Sequence, residues 1–283
     1  MTLNQIYKKG KLILKEAGNQ IPAFDCMCIL NYCLKIDRHY LIMNGSEIVS
    51  KQDGSKFLNA VNKRANGIPL QYIIGKWEFM NLEFKVGEGV LIPREDTQTL
   101  VDECLNKILS KRNPRILDLC AGSGAVGISI ATKRLDSRVT CVEYSDKALG
   151  FLIENIKLNE VKNVEWLKGN VFYDLPELEG KTFDAIVSNP PYIKTDDIKD
   201  LPIEVQNEPQ MALDGGKDGL DFYRAITNKW LKHLNIGGSL SVEIGMGQES
   251  DVMEIFENAK LSDIKSLTDM NNIQRVISAI RQE

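Results

Sequence analysis

The run Arg115-Ile116-Leu117-Asp118-Leu119-Cys120-Ala121-Gly122-Ser123-Gly124-Ala125-Val126-Gly127 restricts the fold more than any other part of the chain. Its first five residues read as a buried strand, its glycines as a tight turn, and Ile128-Ser129-Ile130-Ala131-Thr132-Lys133 as the helix that leaves the turn. A strand feeding a helix in this way is half of a β-α-β unit. From Thr97 onward, apolar strand patterns at 115–119, 138–143, 163–167, 183–188 and 239–244 alternate with helical stretches, which predicts a mostly parallel sheet covered on both faces. The tail segments 264–268 and 274–280 read as two further strands that close the sheet as a hairpin.

Ligands of such sheets bind at the carboxyl ends of the strands, and Asp118, Glu143, Asn170 and Asn189 all fall at or just past those ends. Read literally, Gly122 to Gly127 is also the dinucleotide pattern G-x-G-x-x-G, with Glu143 21 residues after Gly122 where an acidic group would take ribose hydroxyls. Two ligand classes therefore compete for one loop. A pyrophosphate at this turn would be opposed by the Asp118 carboxylate. S-adenosylmethionine carries an ammonium and a sulfonium instead, which makes Asp118 favourable. The spacing of Asp118, Gly122 and Gly124 resembles the acidic and glycine-rich loop of class I methyltransferases.

The apolar run Phe183–Ser188 ends in Asn189-Pro190-Pro191-Tyr192. Pro190 drives Asn189 out of the helical region, and neither proline has an N–H to donate. The Asn189 side-chain oxygen and the Pro190 carbonyl then form two acceptors at nearly fixed positions, suited to a planar –NH₂ group. Tyr192 and the aromatic residues of the preceding linker are expected to form flat walls around it.

At 283 residues the chain has room for a full α/β domain and a smaller companion, and its net charge is 35 − 39 = −4. This acidic balance argues against a nucleic-acid backbone as the main partner. No apolar segment reaches membrane-spanning length and Met1 to Lys9 lacks the apolar core of a secretion signal, so a cytoplasmic protein is expected. Residues 1–72 read as short amphipathic helices without strand patterns, with a role in partner recognition or in covering the active site. Cys26, Cys28 and Cys33 lie in an apolar run with no second cluster, which fits buried thiols rather than a metal site. Residues 73–95 read as a β-hairpin linker turning near Met80-Asn81, followed by a helix beginning around Asp96-Thr97, and 96–283 as the sheet domain. His39 and His233 sit in no motif, and the charged run Lys194 to Asp200 reads as a solvated loop.

Beyond these separate signals, the chain resembles the HemK/PrmC protein-(glutamine) methyltransferases over nearly its full length. The resemblance rests on the helical N-terminal part, Pro69 to Gly75, Val90-Leu91-Ile92-Pro93-Arg94-Glu95-Asp96-Thr97, the Asp118 to Gly124 loop, Asn189 to Tyr192, Glu208 to Gly216 with Asp218-Gly219-Leu220, and Glu243-Ile244-Gly245. It implies a class I, Rossmann-like methyltransferase fold with a seven-stranded sheet, joined to a small all-α N-terminal domain. It also implies S-adenosyl-L-methionine as donor, S-adenosyl-L-homocysteine as product, and the glutamine of the Gly-Gly-Gln motif of class I peptide-chain release factors as acceptor. The expected cofactor contacts are Asp118, Ala121, Gly122, Ser123, Gly124 and Ala125 for the methionine portion, Glu143 for the ribose, Asn170 and Val171 beside the adenine, and Asn189. Asn189, Pro190, Pro191 and Tyr192 would hold the substrate, with Asn189, Pro190 and Tyr192 as the catalytic group. A monomer is expected. Three positions depart from the family pattern: Asn170 for Asp, Gln210 for Arg and Gln98 for Glu.

An amide nitrogen is a poor nucleophile because its lone pair is delocalised, so holding it in line with the methyl group is the main task. Positioning of this kind supplies roughly 7 to 11 kcal/mol in favourable cases. Adenine-amino methylation remains a second reading, because adenine also presents a planar –NH₂. A binding module that keeps the fold without catalysis is a third.

Overall fold

The computed structural model describes residues 1–282, which divide into two compact units, residues 1–76 with 202–207, and residues 77–201 with those from 208 onward. The first unit is helical, with helices Leu3–Glu16, Pro22–Leu34, Arg38–Asn44, Lys51–Ala65 and Leu70–Ile74. Its first helix starts with a reciprocal cap: Thr2 Oγ1 accepts from the Gln5 N–H while Gln5 Oε1 accepts from the Thr2 N–H. Ile6, Leu14, Ile29, Leu30, Phe57 and Val61 fill the core. Asp25 is buried there and is neutralised by Arg64 at 2.6 Å; Arg64 also reaches Glu204 at 2.8 Å, tying residues 202–207 to the helices. Cys26 and Cys33 are buried in the same core, where burial pushes the Cys26 thiol up to about 12.

The second unit opens with the hairpin β1 (Lys76–Phe79) and β2 (Leu82–Lys85). Its two connecting residues, Met80 and Asn81, both have positive φ, 51° and 65°, matching the twist that two-residue hairpins favour. A short 3₁₀ turn, Glu95–Thr97, leads into the helix Gln98–Lys107. The sheet follows with β3 (Arg115–Leu119), β4 (Arg138–Glu143), β5 (Val164–Lys168), β6 (Phe183–Ser188), β7 (Leu234–Glu243), β8 (Leu261–Thr268) and β9 (Gln274–Arg281), in spatial order β5-β4-β3-β6-β7-β9-β8. The strands β3 to β7 pair in parallel, and β9 lies antiparallel between β7 and β8. The expected class I methyltransferase topology, with its closing hairpin, is the one found.

Most strand limits fall within a residue of the sequence expectation, and two strand starts differ by more, for physical reasons. β7 begins at Leu234 rather than 239, because its pairing with β6 continues through an irregularity at Gly237-Gly238, a pair that reads in sequence as a turn. β8 likewise begins at Leu261, three residues early, with a register shift after Ser262. β5 is an exposed edge strand, and the expectation that both faces are covered fails there. Inside, Leu117, Leu119, Phe183, Ile186, Leu240, Val242 and Trp230 belong to one continuous buried cluster. Among the described residues no helix is long and apolar enough to cross a membrane.

Candidate active site

The carboxyl ends of β3, β4, β5 and β6 open into a cavity of about 490 Å³. Its lining includes Asp118, Ala121, Gly122, Ser123, Ala125, Glu143, Asn170, Val171, Asn189 and Pro191. Thus most of the residues expected from sequence converge on one space. Gly124 lies under the loop: its φ is +83°, and a Cβ there would meet Leu152 at 2.3 Å and Ile128 at 2.8 Å. Gly122 also has a positive φ, +57°, but a side chain there would enter open space, so the backbone presents a bare surface to a ligand. Gly127 allows the helix to approach the sheet, since a Cβ would come within 2.9 Å of Asp118 Oδ2.

Asp118 is 1% exposed, and its Oδ2 accepts the Gly127 N–H at 2.9 Å and faces Cys141 Sγ at 3.8 Å. Burial pushes its carboxyl up to about 7, against the pull of the Gly127 hydrogen bond and with added repulsion from Glu143. A cation placed in the cavity would relieve that penalty. Glu143 bridges the loop: Oε2 accepts from the Gly122 N–H and Oε1 from the Ser145 N–H, both at 2.7 Å. Burial raises Glu143 as well, while those backbone donors hold it down. Each of its oxygens retains a second lone pair for a hydroxyl.

Asn170 resolves its own orientation. Its Oδ1 accepts the Phe172 N–H at 2.9 Å, so Nδ2 is the group left to donate. Phe172 and Phe222 stack edge to face with centroids 4.8 Å apart, and both line the cavity.

Asn189 reaches the cavity from the end of β6, and its Nδ2 donates to Thr97 Oγ1 at 3.1 Å, leaving Oδ1 to accept. Neither Pro190 nor Tyr192 is among the lining residues. The Tyr192 wall expected from sequence is absent: the hydroxyl donates instead to Glu243 Oε1 at 3.4 Å, and burial pushes the phenol up, keeping it neutral. Phe79 and Phe84 of the linker pack on each other rather than around the cavity, and Tyr144, Phe172 and Phe222 supply its aromatic surface.

Of the remaining groups in the arrangement, Asn155 carries no local sequence signal, whereas Arg94, Glu208 and the segment to Gly216 enter through the family resemblance alone. Asn155, fully buried, accepts the Lys85 N–H at 2.7 Å and donates to the carbonyls of Lys85 and Ser123 at 3.1 and 2.9 Å, joining β2 to the glycine loop. Glu208 accepts the Ile92 N–H at 3.0 Å and pairs with Arg94. The segment after it fixes the Asn-Pro-Pro-Tyr backbone through Ile193 N–H to Leu213 carbonyl, 2.9 Å, and Gly215 N–H to Ile193 carbonyl, 2.8 Å. Gly215 packs so closely that a Cβ would lie 2.7 Å from Tyr192 Cα. Of the departures from the family pattern, Gln98 donates to Asp102 at 3.2 Å on the exposed side of its helix, and Gln210 is exposed at the start of a 3₁₀ turn.

A parallel sheet of this order, with an acidic and glycine-rich turn after β3 and an acidic residue ending β4, defines a class I methyltransferase. Solved structures share the fold: a methyltransferase from Pyrococcus furiosus has a TM-score of 0.52 at 19% identity, covering 72% of this chain and 91% of that one. The hMettl16 catalytic domain, solved with an RNA hairpin, has a TM-score of 0.58 at 12% identity, covering 85% of this chain and 87% of its own. Family models match as "PrmC N-terminal domain" over residues 5–75 and "Methyltransferase small domain" over 96–214. The release factor glutamine methyltransferase of Clostridium acetobutylicum is 38% identical over 99% of both chains, and that of Thermodesulfovibrio yellowstonii 40% identical over 95% of both. The chain belongs to the release factor glutamine methyltransferase family.

Proposed function

We propose that this enzyme transfers a methyl group from S-adenosyl-L-methionine to the side-chain amide nitrogen of the glutamine in the Gly-Gly-Gln motif of class I release factors. The observation that carries the reading is Asn189: its Nδ2 is engaged by Thr97, so its oxygen is the end that can accept from a planar –NH₂ at the cavity rim. The donor's atoms suit the lining. Asp118 offers a buried carboxylate to an ammonium, Glu143 offers free lone pairs to ribose hydroxyls, and Asn170 Nδ2 can donate to a ring nitrogen beside Val171 and the Phe172–Phe222 pair.

When bound, the donor supplies an electrophilic methyl on a sulfonium. The protein's task is orientation. Asn189 Oδ1 takes one N–H of the glutamine amide at the rim, and the carbonyl of the next residue, Pro190, although outside the cavity lining, is assigned the other, leaving the nitrogen lone pair directed at the methyl. Both acceptors gain strength as positive charge spreads onto the nitrogen, so they favour the transition state over the ground state. No strong base is required at the outset: the nitrogen–methyl bond forms as the methyl–sulfur bond breaks to leave a neutral thioether, and the nitrogen, made acidic by its new bond, gives up one N–H proton to solvent. The phenyl rings of Phe172 and Phe222 exclude water from the donor side. Within this reading the helical unit recognises the release factor, and the acidic chain, with no basic stripe, fits a protein acceptor better than a nucleic acid.

The test is to incubate the protein and methyl-labelled donor separately with a release factor, with the same factor carrying Gln→Ala in its Gly-Gly-Gln loop, and with a DNA duplex. Label on the intact factor alone is expected. Label on DNA and not on the factor would sink the reading, and label on both factors would move the modified site elsewhere.

A further inference from the structure

Asn189 works as an acceptor only if its oxygen, not its nitrogen, faces the cavity. The two ends of a primary amide have nearly the same size and shape, so packing alone does not choose between them. Thr97 makes the choice, because its hydroxyl can either accept from Nδ2 or donate to Oδ1. At 3.1 Å it accepts, and its own hydrogen must then point elsewhere. Beside it lies the carboxyl of Glu243, at the end of β7 and 2% exposed. Glu243 Oε1 takes the Tyr192 hydroxyl, while Oε2 is fully buried with no hydrogen-bond partner among the described residues.

We propose that Glu243 is a positioning residue which, through the Thr97 hydroxyl, sets which end of the Asn189 amide faces the substrate. An ionised Glu243 can only accept, so the Thr97 hydrogen turns to it, Thr97 Oγ1 receives Asn189 Nδ2, and Oδ1 is presented to the cavity. A protonated Glu243 can donate to Thr97 instead. The Thr97 hydrogen is then released toward Asn189, the amide turns over, and an N–H faces the N–H groups of the substrate. The two arrangements differ by the one proton that Glu243 releases to or takes from solvent; the Thr97 and Asn189 protons stay on their own groups and only the direction of their hydrogen bonds changes.

The surroundings leave both states within reach. Burial pushes the Glu243 carboxyl up to about 7; the neighbouring Thr97 hydroxyl and the Arg275 charge pull it down, Asp96 pushes it up, and Tyr192 pulls it down. The charged and titratable groups facing it are Arg275 from β9, which pairs with Asp96 at 2.9 Å and Asp269 at 3.0 Å, Asp96 from the turn before the Gln98 helix, and Tyr192. Tyr223 approaches from the Asp221–Ala225 helix and donates to the Glu243 main-chain carbonyl at 3.0 Å. The sign follows: kcat rises with pH as Glu243 ionises.

This inference rests on the proposed role of Asn189 as amide acceptor, and two measurements separate the two ideas. The first is the pH dependence of kcat on a Gly-Gly-Gln peptide, at saturating donor so that Asp118 titration does not enter, for the wild type, Glu243→Gln, Thr97→Val and Thr97→Ser. Wild-type kcat should climb through neutral pH. Glu243→Gln and Thr97→Val should lose at least ~10-fold in kcat and lose that climb, with donor KM within about twofold. Thr97→Ser, which keeps the hydroxyl, should restore what Thr97→Val loses. The second is the side-chain amide resonance of Asn189 in selectively labelled protein without substrate. It should shift across the same pH range in the wild type and stay constant in Glu243→Gln. A Glu243→Gln enzyme with the wild-type kcat profile, or a wild-type Asn189 resonance that does not move with pH, would overturn the proposal. Failure of the wild type to methylate any peptide would overturn the functional reading, and the resonance titration then decides the coupling by itself.

Discussion

The indole Nε1 of Trp230 donates to the carbonyl of Val171 at 2.7 Å, from a wide helical turn, Ile226–Trp230, to the floor of the cavity. Trp230 is 1% exposed, so the bond is made away from competing water. It holds the Asn170–Phe172 turn from behind. Trp230→Phe keeps an aromatic ring but strands the Val171 carbonyl, at a cost of about 1–3 kcal/mol. A lower melting temperature and weaker donor binding by calorimetry are expected, with kcat at saturating donor little changed.

Asp118 should govern donor affinity through its charge. Asp118→Asn is expected to raise the donor Kd about 10- to 100-fold, the worth of one charge-assisted contact. Because the free-protein carboxyl sits at about 7 and the donor's cation favours its ionised form, affinity should fall as pH drops through that value. Stability of the free protein should show the opposite trend. A carboxyl raised above its unfolded value stabilises most at low pH, and that contribution is lost as pH rises from about 4 to about 7. Melting curves with and without donor across this range, for the wild type and Asp118→Asn, check both signs.

Asn189→Ala should reduce kcat by about 100-fold or more while leaving donor affinity within a fewfold, because the lost contact is made to the amide being methylated. Equal losses in kcat and donor affinity would assign Asn189 to donor binding instead.

Gly215→Ala tests the clamp on the Asn-Pro-Pro-Tyr backbone. The new Cβ would lie 2.7 Å from Tyr192 Cα and 2.9 Å from the Pro191 carbonyl oxygen, neither of which can swing aside like a side chain. The loop must shift, and a shift near 1 Å at a reacting group costs on the order of 100-fold in rate. Reduced kcat with intact donor binding is expected from steady-state kinetics and calorimetry.

The strands and the glycine turn were legible because they obey local rules. Leu117 and Ile186 sit in apolar runs that only a buried strand explains, and Met80-Asn81 lies between two short alternating segments as a hairpin turn does. The residues at strand ends could be placed on one rim from topology alone. What stayed hidden depended on partners distant in sequence. Thr97 and Asn189 are 92 residues apart, and Asn155 and Lys85 are 70 apart, so no spacing rule relates them. The direction of Tyr192 is hidden for a similar reason. Its ring direction is set by Glu243 and by close packing against Gly245, whose hypothetical Cβ would fall 3.0 Å from Tyr192 Cδ2. The start of β7 is masked in sequence because Gly237, with φ +74°, looks like a turn and serves within the strand as an irregularity.

Asn155→Ala is expected to cost about 3 kcal/mol, since three backbone groups lose their buried partner at once. The melting temperature should fall by roughly 6 to 12 °C on that basis.

The same asparagine sets where a shortened version of this enzyme can begin. A fragment starting at Asp96 would retain every residue that faces the cavity from Asp118 onward, yet it would lack Lys85, whose N–H and carbonyl take two of the three hydrogen bonds of the Asn155 amide. The surviving bond to Ser123 would then hang from a side chain free to rotate toward water. A fragment starting at Trp77 keeps the hairpin turn, and with it the stiffness of the donor loop, so the boundary that preserves binding lies well ahead of Arg115, where the first strand that builds the sheet begins.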